Sequence, residues 1–422
     1  MTDPRTPLVL VTGLHRQLGA QVCRALVDGP GTVAVHHDVS RLSEGVVVRT
    51  QLQLRDGVVT EESAAVELAH GCLSCTLRLD LLPLLRTLAR RDDVTRVVLH
   101  LDPALEPEHL CWAVADLVLD DEPSGVPETA ADWVRIEAVL AVVEPAGWLE
   151  DVTGGDDLAD RGLAATPDDD RTLAQVGLAQ VAFADAVVMA GPPADAWEGV
   201  RLDAVLDRLV PGVPRADLRL PVQRLLSAVG PDARRGRVSS AHDPLLAGQP
   251  PLGADAGVEL VRFAPDRPLH PGRLHDALDV LLDGVVCTRG RLWLASQHDR
   301  VLWLESAGQG LRVGDVGPWL ATLGDDAWAD VDPLRRVAAA LRWDPVHGDR
   351  HTELVVLTVR QSALAITAAL HAAVLTEAEW AAGPEAWNRY PDPFDTFHED
   401  PCEASVPADG AATQGTHREE RS

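Results

Sequence analysis

The feature that most restricts this chain is a series of short apolar runs set between stretches of helical period. LVLVT (8–12), TVAVHH (32–37), RVVLHL (96–101), IEAVLAVVE (136–144) and AVVM (186–189) are too short for substantial helices and rich in β-branched residues. Strands of that kind are buried on both sides, the condition of a mostly parallel sheet covered by helices on two faces. Helical stretches fall where such a sheet needs them: after Gly13 through Val22 and Leu26, at Leu77–Arg90, around Cys111–Leu119 and at Thr172–Ala184. VVVRTQLQL (46–54) and VVT (58–60) flank Arg55–Asp56–Gly57 and predict a hairpin. The reading is an α/β domain over residues 7–228.

A Gly-, Pro- and Ser-rich stretch at 229–257 has no period and reads as a linker. A smaller α+β domain follows over 258–380. Its strands are VELVRFA (258–264), RLWLA (291–295), RVLWLES (300–306) and ELVVLTV (353–359), with helices at 271–282 and 362–375. From 381 to 422 the density of Pro, Asp and Glu predicts an acidic, flexible tail.

Composition removes several classes of function. Against 65 acidic residues stand 37 basic ones, a formal charge of −28, so a phosphate backbone is repelled and direct DNA binding is not expected. Mean hydropathy is −0.01 and no apolar run approaches the length of a membrane span. Six cysteines are too sparse for a disulfide scaffold, and the start MTDPRTP lacks the shape of a signal peptide. A reducing, cytoplasmic setting is the expectation. Two absences matter more: the chain has no lysine, and Asn388 is its only asparagine. Any mechanism that needs a lysine ammonium is closed.

The most chemical segment is GCLSC, Gly71–Cys75. Two thiols two residues apart can share one soft metal ion, and zinc favours thiolate with imidazole. Cys72 and Cys75, with the adjacent His70, are the candidate zinc ligands. The alternative is two small apolar side chains packed in a core. A second candidate is the turn after the first strand, Gly13 to Gly19, with Arg16 between them as the cation. It stands where a nucleotide-binding protein cradles phosphates, yet the lysine and the Ser/Thr that would hold Mg²⁺ are both missing. An ordinary strand–helix turn is the favoured reading there.

Taken together, these landmarks resemble the CobW-type family of P-loop GTPases, many of them metal chaperones. GCLSC occupies the place of the family's Gly-Cys-x-Cys-Cys element. RVVLHLDPALEP (96–107) resembles the strand that leads into its acid-Thr-x-Gly segment. RPLHPGRL (267–274), GVVCTRGRLWLA (284–295), GDRHTELVVL (348–357) and LTEAEW (375–380) resemble the CobW C-terminal domain. The resemblance implies a P-loop NTPase-like three-layer domain followed by a smaller CobW C-terminal-like domain, with zinc and GTP as the family's ligands.

Departures are systematic. The P-loop ending Gly-Lys-Thr-Thr reads Leu18–Gly19–Ala20–Gln21, and the guanine-reading Asn-Lys-x-Asp reads Ala190–Gly191–Pro192–Pro193. The middle cysteine of the metal motif is Ser74. Phosphoryl transfer depends on positioned cations, so hydrolysis is expected to be weak or absent. Within the family, HGCLSCTLRLDLL (70–82), HPGRLHDALDVLLDGVV (270–286), LWLESAGQGLRV (302–313) and YPDPFDTFHEDPC (390–402) resemble an actinobacterial branch of ribosome hibernation factor-recruiting GTPases. That likeness implies an adaptor that brings a ribosome hibernation-promoting factor to zinc-depleted ribosomes under zinc limitation. The runner-up is a GTP-dependent zinc chaperone. At −28 the chain is expected to reach the ribosome through a basic partner protein rather than through RNA.

Overall fold

The computed structural model describes residues 3–68, 76–119, 127–246 and 248–394. The first domain is built on one sheet of strands β1 (Thr6–Thr12), β2 (Thr32–Asp38), β3 (Val46–Arg55), β4 (Val58–Glu67), β5 (Arg96–His100), β6 (Val134–Val143), β7 (Ala186–Met189) and β8 (Arg215–Asp217). Their order is β4-β3-β2-β5-β1-β6-β7-β8, parallel from β2 to β8, with the β3–β4 hairpin added antiparallel at one edge.

The two-sided burial predicted from the apolar runs is present residue by residue. Leu8 and Leu10 of β1 enter one core cluster, Val9 and Val11 the cluster on the opposite face. In β5, Val97 and Leu99 share the first cluster, Val98 the second. Alternate side chains of a strand point to opposite faces, so a continuous apolar run feeds both layers at once. The hairpin turns on Asp56 (φ 52°) and Gly57 (φ 76°), the pair of positive angles that matches strand twist in a two-residue turn. β4 lies mostly exposed, and the acidic Glu61, Glu62 and Glu67 stand along this outer edge, a pattern that opposes pairing with other chains.

The second domain carries an antiparallel sheet in the order β12-β11-β10-β13-β9: β9 (Glu259–Phe263), β10 (Val285–Leu292), β11 (Arg300–Ala307), β12 (Gly310–Pro318) and β13 (Glu353–Thr358). Helices Pro271–Leu282 and Ala363–Ala373 place Leu274, Leu278, Leu281, Ile366 and Leu370 against Leu302, Leu304, Leu354 and Val356. β10 starts six residues before the strand read from RLWLA. Arg289 and Arg291 break its apolar pattern, but carbonyls of the linker take their guanidiniums: Leu245 for Arg289, Ala241 and Asp243 for Arg291.

The connecting stretch is fastened to both domains. The Arg235 amide donates to Asp185 Oδ1 at 2.9 Å, and its guanidinium donates to the Glu137 carbonyl. One core cluster also spans the two domains, joining Val152, Leu173 and Ala174 to Val286, Ala307 and Leu357. From 384 to 394 the segment expected to be loose packs on the second domain, burying Trp387 and Phe394. Asp392 there accepts from Ser296 Oγ at 2.6 Å and Gln297 Nε2 at 2.9 Å. Among the described residues no helix is long and apolar enough to cross a membrane.

Candidate functional site

β1 ends at Thr12, and the helix Arg16–Leu26 begins after only Gly13, Leu14 and His15. Gly13 is required by a close approach: a Cβ there would sit 2.6 Å from the Val142 carbonyl of β6. The amides of Leu18 and Gly19 both donate to the His15 carbonyl, each at 3.1 Å. In a phosphate-binding loop the amides at this position face the anion. Here they close the first helical turn instead.

Arg16, the first residue of that helix, is neutralised from within the chain. Its Nε and Nη2 donate to Asp102 Oδ2 at 3.1 and 2.9 Å. Asp102 lies just past β5 and is fully buried, and its other oxygen accepts from the Ala104 amide at 3.2 Å. A guanidinium held this way is not free to meet a phosphate.

Gly19 stands where the resemblance sets the P-loop lysine. A Cβ on it would overlap Nε2 of His100, so the imidazole fills the space a longer side chain would need. His100 stacks on His36 with ring centroids 4.3 Å apart, and His36 Nδ1 donates to the His100 carbonyl at 3.1 Å. Burial, with His36 and Arg16 alongside, pushes the His100 imidazole down to about 3, so it is neutral at physiological pH. Burial likewise lowers His36. Around these rings runs a cleft of ≈ 300 Å³, lined among others by Arg16, Cys23, Arg24, Asp38 and Glu61. After β7 the chain reads Ala190–Gly191–Pro192–Pro193, which offers no side-chain donor or acceptor to a base. These residues do not fit a Mg²⁺-bound nucleoside triphosphate.

The candidate zinc ligands His70, Cys72 and Cys75 lie outside the described residues. The chain on either side of them is fixed. Leu68 donates its amide to the Gly45 carbonyl at 2.8 Å. Downstream, Asp80 joins buried His37 (2.6 Å to Nε2) and Arg49 (2.5 Å from Nη1), which ties the following helix to β2 and β3. Among the described residues no group of three or more His, Cys, Asp or Glu side chains could hold a metal ion. Burial pushes the thiols of Cys23 and Cys111 up, and that of Cys287 up to about 11, so these three are protonated packing groups.

Two participants escaped the sequence reading. His36 was given no role there, and Asp102 stood only within RVVLHLDPALEP (96–107), with no partner assigned to it. The available signal was position: each is polar and stands at or just beyond the end of an apolar strand run, where α/β sheets place their sites.

The family model described as CobW/HypB/UreG, nucleotide-binding domain, matches residues 46–194, and the cobalamin synthesis protein cobW C-terminal domain matches 258–374. The first match begins downstream of the turn at 13–19. A zinc chaperone of Mycobacterium tuberculosis is 44% identical over 407 residues, covering 96% of this chain and 97% of that protein. A zinc-regulated GTPase metalloprotein activator of Dictyostelium discoideum is 24% identical over 362 residues, 83% of this chain and 74% of that protein. Among solved structures, the Zn(II)-bound YjiA GTPase from E. coli aligns at 14% identity over 88% of this chain and 99% of that one, with a TM-score of 0.35. By full-length identity and by both domain matches, this chain belongs to the CobW/HypB/UreG family and carries the CobW C-terminal domain.

Proposed function

We propose that this protein handles zinc on behalf of other proteins, as a chaperone or adaptor, and does so without turning over GTP. The observation that carries the second half is the filled lysine position: Gly19 against His100, with Arg16 already paired to Asp102. An electrostatic clamp on the transferring phosphoryl group supplies several kcal/mol of a hydrolytic barrier, and none is available here. Support for zinc comes from the names of the relatives and from the thiol pair Cys72 and Cys75 beside His70. As cargo, zinc would take both thiolates and release their protons.

Calorimetry with GTP and with Zn²⁺ tests the two halves separately. Zinc is expected to bind and to be lost in the Cys72→Ser/Cys75→Ser double variant, while GTP shows neither micromolar affinity nor turnover. GTP cleavage at a steady rate would restore the family's enzymatic role.

A second reading rests on charge. A chain at −28 with no lysine suits a basic protein partner, and a ribosome hibernation-promoting factor recruited under zinc limitation is the partner this reading names. Ribosome cosedimentation is then expected to require that factor and to weaken with salt. Binding to factor-free ribosomes that persists at high salt would remove this reading and leave zinc delivery alone.

A further inference from the structure

Three arginines of the second domain gather around one pocket: Arg291 is buried, Arg335 half-buried and Arg342 exposed. A small pocket of ≈ 30 Å³, room for a few non-hydrogen atoms, is lined by Arg291, Arg335, Arg342, His242, His351 and Asp349, with Trp319 at its wall. Separate segments converge to build it. The connector gives His242, β10 gives Arg291, the helix Pro333–Arg342 gives two arginines, and the approach to β13 gives Asp349 and His351.

The charges do not balance. Glu353 Oε2 alone accepts from both Arg291 Nη2 and Arg342 Nη1, each at 2.7 Å. Asp349 spends its two oxygens on the backbone amides of Leu320 and Ala321, at 2.9 and 2.8 Å. Arg335 has no ion-pair partner among the described residues; its Nη2 donates to the neutral Pro318 carbonyl at 2.5 Å. Arg291 Nε, Arg335 Nε and Trp319 Nε1 are buried donors without a partner. Burial first, and Arg335 and Arg291 beside it, push the His242 imidazole down to about 4, so the ring adds no positive charge of its own at neutral pH. A half-buried guanidinium with no carboxylate partner, as at Arg335, is incompletely compensated, and a small anion in the pocket would meet it.

The donor pattern also indicates which anion. His351 Nδ1 donates to the Asp349 carbonyl at 2.7 Å, which leaves Nε2 of the neutral ring as a buried acceptor with no partner. A ligand suited to these walls accepts from guanidiniums and donates one hydrogen bond of its own. We propose that this pocket binds a small protonated oxyanion of the phosphate class, either the free ion or the phosphoryl group of a phosphorylated side chain.

Titration calorimetry of the full chain with inorganic phosphate, with phosphoserine and with sulfate, at fixed ionic strength, tests it. Phosphate is expected to bind saturably and more tightly than sulfate, which carries no proton at neutral pH. Arg335→Gln is expected to weaken phosphate about tenfold, the usual worth of one charge-assisted contact. Arg336→Gln, on the same helix but off the pocket, leaves it unchanged. Phosphoserine binding tighter than phosphate, and still sensitive to Arg335→Gln, identifies the phosphoryl group of a partner as the occupant; equal or weaker binding identifies the free ion. No saturable binding of either, or equal binding by the Arg335→Gln protein, overturns the site. Sulfate binding as tightly as phosphate overturns the assignment to a protonated oxyanion.

Discussion

Arg16 and Arg335 pose the same physical problem, and the two domains answer it differently. At Arg16 the chain supplies a fully buried carboxylate at 2.9 Å, and the charge is settled inside the fold. At Arg335 it supplies a neutral carbonyl, while the neighbouring Glu353 is divided between two other guanidiniums. One site has been closed by its own side chains; the other is short of negative charge. A net charge of −28 conceals this, because local neutrality depends on which acids reach which bases.

The strongest way to break the contrast is to remove the carboxylate that closes the first site. Asp102→Ala leaves Arg16 without its buried partner and the Ala104 amide without an acceptor. The expected loss is ~3 kcal/mol, read as a lower urea midpoint, toward the small end for a broken pair because Arg16 is a third exposed. Next comes refilling the lysine position. Gly19→Lys must displace His100 and is expected to cost ~2 kcal/mol, partly recovered by adding His100→Ala. GTP binding stays absent in the single variant; its appearance would mean that lysine alone had been lacking.

A pH series sharpens the same comparison. His100 is held neutral by burial, with a folded value near 3 against an ordinary 6.5, so the unfolded chain takes up the extra proton between those values. Stability is fully present above about 6.5 and falls as pH drops toward 3, by at most about 1.4 kcal/mol per pH unit for one proton. His100→Phe is expected to flatten that slope in acid denaturation. The smallest effect belongs to a matched pair in the second domain. The hydrogen bond from Arg273, at 2.8 Å, holds Glu379 down to about 2. Its contribution is present above about 4.5 and lost as pH falls through 2. Glu379→Gln is expected to cost ~0.5–1 kcal/mol at pH 7 and nothing at pH 2, since the pair is partly exposed. The second domain thus pairs its charges where an acid is at hand, and the deficit at Arg335 is local.

Much of the fold was legible because burial on both faces leaves an unmistakable trace. LVLVT, TVAVHH and AVVM became β1, β2 and β7 within two residues of the expected ends. β12 was not anticipated: Gly310, Gly314 and Gly317 dilute its pattern, and as an edge strand it needs apolar contact on fewer sides. Helix Ala196–Leu209 mixes acids with its apolar stripe and read as nothing in particular. Trp293 and Trp319 are core residues, whereas Trp343 is 44% exposed. At the candidate site, the loss of lysine was plain in the letters, but what replaced it was not. Arg16 and Asp102 are 86 residues apart, and no local period links a base on one helix to an acid beyond another strand. The thiol pair at 72 and 75 lies outside the described residues.

The fastened connector has a consequence of its own. A loose tether would let each half tumble, and a partner gripping both would first have to freeze them into one orientation. Residues 235–245 are stitched to Glu137 and Asp185 on one side and to Arg289 and Arg291 on the other. A client that reaches across the seam therefore meets a preset template, and the entropy of aligning two bodies has already been spent during folding.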